Sequence, residues 1–161
     1  VMENKANSAL IQEGCCWAIH QMCHLADRET RERVGASAAP RAIVRALKGQ
    51  GFSGRVEGMR EKASRALEAL IESTPEADER EQTLTLVLKD QLARMETFKA
   101  AVASLKAHKK VAGVVVHTCD LLAALCSGSD PSDERKHLAA ASGAIPAIVN
   151  VLRKNLKVSE E

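Results

Sequence analysis

Apolar positions return every three or four residues along almost the whole chain, and strict apolar–polar alternation is nearly absent. The pattern predicts a series of helices and no sheet. Breakers rich in Gly, Pro, Ser and Asp fall at residues 35–40, 49–58, 73–75, 109–113, 127–133 and 142–146. Ser73-Thr74-Pro75 and Asp130-Pro131-Ser132-Asp133 carry helix-start signals, a capping side chain followed by a Pro in the first turn. Residues 76–106 hold neither Gly nor Pro. There Leu84, Leu88, Leu92, Met95, Phe98, Val102 and Leu105 step by three or four. One long helix and two shorter ones fit that stretch equally well.

The helical segments recur in kind. A long amphipathic unit occurs three times: IQEGCCWAIHQMC from Ile11, MREKASRALEALI from Met59 and VVVHTCDLLAALC from Val114. Aligned, these place Cys15, Ala63 and Thr118 in one column and Ala18, Ala66 and Leu121 in a second. Ile19, Leu67 and Leu122 form a third column, and Met22, Leu70 and Leu125 a fourth. A shorter apolar unit follows a small-residue turn: GASAAPRAIVRALK from Gly35, SGAIPAIVNVLRK from Ser142 and, more weakly, FKAAVASLK from Phe98. Ile43, Val44 and Leu47 correspond to Ala101, Val102 and Leu105, and to Ile148, Val149 and Leu152. Charged helices, ADRETRERVGA and DPSDERKHLAAASGA, precede the first and last copies of the shorter unit.

The order charged helix, Gly/Pro turn, apolar helix, long amphipathic helix resembles the armadillo repeat. SGAIPAIVNVLRK is similar to that family's second helix. IQEGCCWAIHQMC is similar to its third, including Gln12, Glu13, Trp17 and Ala18. The long units start at Ile11, Met59 and Val114, spacings of roughly 48 and 55 residues, wider than the family's roughly forty-odd. The extra length falls in the Gly-rich stretch 49–58 and in the middle unit, which lacks the Gly-Pro break. The resemblance implies an all-α, right-handed superhelix of armadillo-like three-helix repeats, a fragment of an α-solenoid. Residues 1–161 then form a single domain of about three degenerate repeats, partial at both ends. It also implies that third helices line a concave face. That face would carry Glu13, Trp17 and Gln21 from the first copy, Glu61, Arg65 and Glu68 from the second, and Asp120 from the third.

Composition narrows what such a domain does. The chain has 161 residues, 45% apolar and 27% charged, enough for one sizeable core. Aromatics are 2%, so Ala, Leu, Val and Ile must build that core. A net charge of +2 with both signs interspersed lacks the one-sided basic field of a nucleic-acid binder. No apolar run reaches the roughly 18 residues that insertion across a bilayer needs. Five cysteines without a CxxC pair, all in apolar helical stretches, read as free buried thiols in a reducing, cytoplasmic compartment. The chain starts at Val1 and enters a helical pattern within about ten residues, which reads as a fragment whose targeting signals are missing.

Candidate chemistry is sparse. Cys16, His20, Cys23 and His24 lie close to one helical face and are metal-capable, but a single helix rarely closes a tetrahedral site. Cys15, Cys16 and Cys23 are expected at core or near-core positions, with solvent-facing histidines, and no metal or cofactor is expected. His117 and Cys119 are two residues apart, on different helical faces, and make poor partners for a thiolate–imidazole pair. The Gly-rich 49–54 stretch lacks the GK[ST] of a phosphate loop. In import-type armadillo proteins, third helices present Trp and, four residues on, Asn. Here the pairs are Trp17/Gln21, Arg65/Ala69 and Asp120/Ala124, with no Asn, so a basic import signal is not the expected ligand.

The expectation is a non-catalytic scaffold or adaptor that docks another protein or peptide. Homo-oligomerisation through exposed end repeats is allowed. Alternatives are a regulatory module acting on a chaperone or enzyme, as the armadillo-type exchange factors do, and a structural subunit of a cytoskeletal or membrane-attached assembly. A HEAT-like DNA glycosylase would need a basic, aromatic concave face that this sequence lacks.

Overall fold

The computed structural model describes residues 5–49, 56–73, 76–128 and 134–156, with side chains from residue 8 onward. Among these residues every regular element is a helix. In chain order they are α1 (Lys5–Cys23), α2 (Arg28–Ala36), α3 (Ala39–Lys48), α4 (Glu57–Leu70), α5 (Glu79–Arg94), α6 (Thr97–Ala107), α7 (Ala112–Cys126), α8 (Glu134–Ala141) and α9 (Ala144–Leu156). None of them is long and apolar enough to cross a membrane.

Local chemistry sets the boundaries. Asp27 opens α2 by accepting a hydrogen bond from the Thr30 amide at 2.8 Å, and Asp78 opens α5 in the same way through the Glu81 amide. Pro40 sits in the first turn of α3, where a missing amide hydrogen costs nothing. Gly49 ends α3 in the left-handed region at φ 66°, donating its amide to Ala46. The start signals at 74–75 and 130–133 and the 50–55 stretch lie outside the described residues.

The undecided stretch 76–106 resolves into two helices. The break lies at Met95 and Glu96, and Glu96 adopts φ 63°, a conformation usually left to glycine. Its carboxylate accepts hydrogen bonds from Lys48 at 2.9 Å and Lys99 at 2.8 Å. Buried Thr97 donates its hydroxyl to the Leu92 carbonyl at 2.6 Å, satisfying a group that the end of α5 leaves open.

The helices stack in three ladders: α2 on α5 and α5 on α8, α3 on α6 and α6 on α9, α1 on α4 and α4 on α7. Within a unit, α3 packs on α4 and α6 on α7. Two complete three-helix units result, α2–α3–α4 and α5–α6–α7. They are flanked by α1, which stands where a third helix stands, and by α8–α9, which lack one. One continuous core runs through the stack, with Leu47, Met59, Ala63, Leu67, Leu70, Leu105, Leu121 and Leu125 fully buried. Small Ala side chains let the helices approach closely. The α4–α7 contact also carries a buried Ser64–Thr118 hydroxyl pair at 3.2 Å.

Burial corrects the expected face of α1. Cys15, Ala18 and Met22 are exposed, whereas their column partners Ala63, Ala66 and Leu70 are buried. α1 instead buries Ala9, Cys16, His20 and Cys23 against α4. The physical reason is that α1 has a neighbour on one side only. Cys15 is thus exposed and Cys119 and Cys126 are half-buried, against the expectation of five buried thiols.

The charged helices α2 and α8 each bury an arginine. Arg31 on α2 is 2% exposed and donates to the Glu72 carbonyl and, at 2.5 Å, to Glu81. Arg135 on α8 is 3% exposed and donates to Asp90 at 2.6 Å. These guanidiniums tie neighbouring rungs together. Such buried cations need fixed partners, because desolvation would otherwise outweigh their attraction.

Candidate functional site

The third-helix ladder α1–α4–α7 brings most of the expected surface residues together. The centre is Trp17, 38% exposed on α1. Two cations from α4 lie over its ring, Lys62 Nζ at 4.8 Å and the Arg65 guanidinium at 4.9 Å from the centroid. They are three residues apart on one helix face, so both reach the same neighbour. Trp17 stacks on His20, with centroids 5.1 Å apart and planes 26° apart, and His20 stacks on His24 at 5.4 Å and 20°. Trp17 is therefore a half-exposed, clamped aromatic, intermediate between packed core and open groove.

Of the two histidines on α1, His20 departs from the expected solvent-facing placement and His24 keeps it. His20 is buried at 8% exposure, because it lies against α4, and its Nδ1 is 3.2 Å from the Arg65 carbonyl oxygen. Burial pulls the His20 pKa down, and the bond to that carbonyl partly opposes the shift. His24 is exposed, and its Nδ1 meets Glu72 at 3.1 Å. Cys16 and Cys23 point to the core, so Cys16, His20, Cys23 and His24 do not converge. Burial, then the charges of Cys15 and Glu13, pushes the Cys16 thiol up to about 12, which leaves it unreactive.

Next to Trp17, α1, α4 and α7 surround a cavity of about 180 Å³ lined by His20, His24, Arg65, Glu68, Ala69, Glu72, His117 and Asp120. One ligand-capable atom each of Glu68, His117 and Asp120 lies within 4.8 Å of the others. Burial, then repulsion from Asp120 and Glu72, raises the Glu68 pKa, with Arg65 and His24 acting the other way. One imidazole and two carboxylates can take a divalent cation or a cationic ligand group, with the Arg65 charge working against both. The sequence points to His117 only as a poor partner for Cys119 and gives it no place on the expected surface. It sits on the same turn as Asp120, three residues away, and that spacing was the available signal.

Glu13 and Glu61 occupy equivalent positions and do the same thing. The Glu13 carboxylate lies against Gly58 in the first turn of α4, and the Glu61 carboxylate against Gly113 in the first turn of α7. A Cβ at either glycine would collide with that carboxylate. Each acid thus lies against the first turn of the next third helix. Glu61 also pairs with Lys62 at 3.2 Å. These two expected surface residues are joints between rungs. Gln21 is exposed one turn on from Trp17 on α1.

No protein-family model, no curated protein and no solved structure matches this chain.

Proposed function

We propose that this chain is a protein-interaction module of the armadillo-like type, a right-handed superhelical stack that docks a protein or peptide along its third-helix ladder and acts without catalysis. The observation that carries the reading is the Trp17 cluster. A half-exposed indole, with Lys62 and Arg65 over its ring, borders a polar cavity built from three successive third helices. Trp and Arg are the residues most enriched where interface energy concentrates, and an anchored side chain loses little entropy on binding. The repeat order in sequence and the three ladders support the armadillo-like architecture.

The working surface is Trp17, Arg65, Glu68 and Asp120, with Glu13 and Glu61 fixing the rungs beneath it. Burial of the indole edge supplies affinity, and the mixed charges around the cavity select the partner. A reducing cytoplasmic setting fits the thiols, with Cys16 and Cys23 held deep in the packing.

The test is affinity capture with mass spectrometry, comparing wild type with Arg65→Glu and with Lys106→Glu, an exposed control on α6. A partner retained by wild type and Lys106→Glu but lost by Arg65→Glu supports the reading. A partner retained by all three moves the docking surface away from this ladder.

A further inference from the structure

Three side chains of metal-ligating type converge on the cavity beside Trp17. Glu68 comes from α4, and His117 and Asp120 come from α7. One ligand-capable atom of each lies within 4.8 Å of the other two. His117 Nδ1 and Asp120 Oδ2 are 4.0 Å apart, too far for a hydrogen bond and close enough for one ion to bridge. The three are shared between two helices, unlike Cys16, His20, Cys23 and His24, which all belong to α1. Two packed helices present donors to an ion from different directions, which a single helix rarely does.

The charge of the cavity wall suits a cation. The wall carries three carboxylates, Glu68, Glu72 and Asp120, against the guanidinium of Arg65. That guanidinium lies over the Trp17 ring, 4.9 Å from its centroid, and Glu72 is engaged with His24 at 3.1 Å. Glu68 is half-buried and differently placed. Among the described residues no donor reaches its carboxylate, and Asp120 and Glu72 repel it while Arg65 and His24 attract it. Carboxylates that share a site cannot all stay ionised at low cost unless a positive charge lies between them.

We infer that Glu68, His117 and Asp120 bind a first-row divalent metal ion of the zinc type, which ties α4 to α7. An imidazole with two carboxylates suits zinc and its neighbours, whereas magnesium and calcium take oxygen donors. Zinc sits about 2.0–2.2 Å from its nitrogen and oxygen ligands. Atoms spread over 4.8 Å reach that distance by a modest inward rotation, and all three side chains are exposed or half-buried and free to make it. Three protein ligands leave a fourth position for water, the open form of a zinc site. The site stands whether or not the ladder docks a partner, because every ligand belongs to this chain.

Calorimetric titration with zinc chloride, under a non-thiol reductant, tests this on wild type, His117→Ala, Asp120→Asn and Cys15→Ser. The His117 and Asp120 side chains are 27% and 51% exposed, so the fold should survive their replacement, which circular dichroism checks. Glu68→Gln is the second choice at the same site. Wild type and Cys15→Ser, which removes an exposed thiol, are expected to bind one zinc ion per chain. His117→Ala and Asp120→Asn are each expected to lose at least about tenfold in affinity, since removing even a group behind a ligand costs that much. Wild type that binds no zinc overturns the inference. So does zinc held equally well by wild type and both ligand variants, or lost with Cys15→Ser, because the ion then sits elsewhere.

Discussion

The two complete units, α2–α3–α4 and α5–α6–α7, reach the same arrangement by different means. In the first, the turn between the leading helices is made by Ser37 and Pro40, the usual punctuation. In the second, it is made by Glu96 in a left-handed conformation, with Thr97 closing the end of α5 and two lysines holding the carboxylate. A helix break therefore does not need a breaking residue. Tertiary contacts supply what the local sequence omits: Lys48, from the first unit, helps to hold the turn of the second.

If the units are equivalent, matching core positions must cost alike. Leu47→Ala and Leu105→Ala, both at fully buried sites, should each destabilise by about 2–5 kcal/mol. Leu152→Ala, in the same column but 55% exposed, should stay within about 0.5 kcal/mol of wild type. Urea melts at low protein concentration check all three. Similar losses at all three sites would break the comparison.

The joint between the third helices of the two units is sharpened by its buried hydroxyl pair. Thr118→Val should cost about 1–3 kcal/mol, because the Ser64 hydroxyl is left buried without its partner. Adding Ser64→Ala should recover most of that loss in chemical denaturation. No recovery would show that Thr118 acts through something other than this pair.

The turn at Glu96 gives a smaller effect. Glu96→Val should lower the melting temperature, since a β-branched residue resists positive φ, whereas Glu96→Gly should stay near wild type. Hydrogen bonds from Lys99 and Lys48 hold the carboxylate down at about 2. Its folded pKa lies below the unfolded value, so its contribution is full above the ordinary glutamate range and is lost as pH falls towards about 2. Thermal melts of Glu96→Gln against pH should lack that part of the acid sensitivity.

The smallest expected change is at Glu68. Its raised pKa means that the ionised form is a cost in the folded state, present at neutral pH and relieved as pH falls through the folded pKa. Glu68→Gln should therefore stabilise slightly at pH 7, by at most about 0.5 kcal/mol after solvent screening. That gain should vanish in acid, as melting curves at two pH values would show.

The helical class and the order of the units were legible, because Ala- and Leu-rich columns at three-and-four spacing survive in every copy. The covered side was legible for α3, α4, α6 and α7, whose column residues are buried, and not for α1 and α9. Met22 and Leu70 carry the same pattern, yet one is exposed and the other buried, since burial depends on having a neighbour and not on the residue. Of the expected surface, Trp17 and Arg65 do meet, and Glu68 and Asp120 line one cavity with His117. Glu13 and Glu61 turned out to be joints, because their glycine seats, Gly58 and Gly113, lie a whole unit away in sequence. Nothing local in the charged run ADRETRERVGA marks Arg31 for burial. Its burial depends on Glu72 and Glu81, some forty to fifty residues distant.

The central claim is that one three-helix unit is repeated, covered on both sides in the middle and on one side only at each end. Native-state hydrogen exchange at low protein concentration tests it most directly. Protection should peak in α3, α4, α6 and α7 and fall towards α1 and α9. Uniform protection from α1 to α9, or a maximum at either end, would contradict the account.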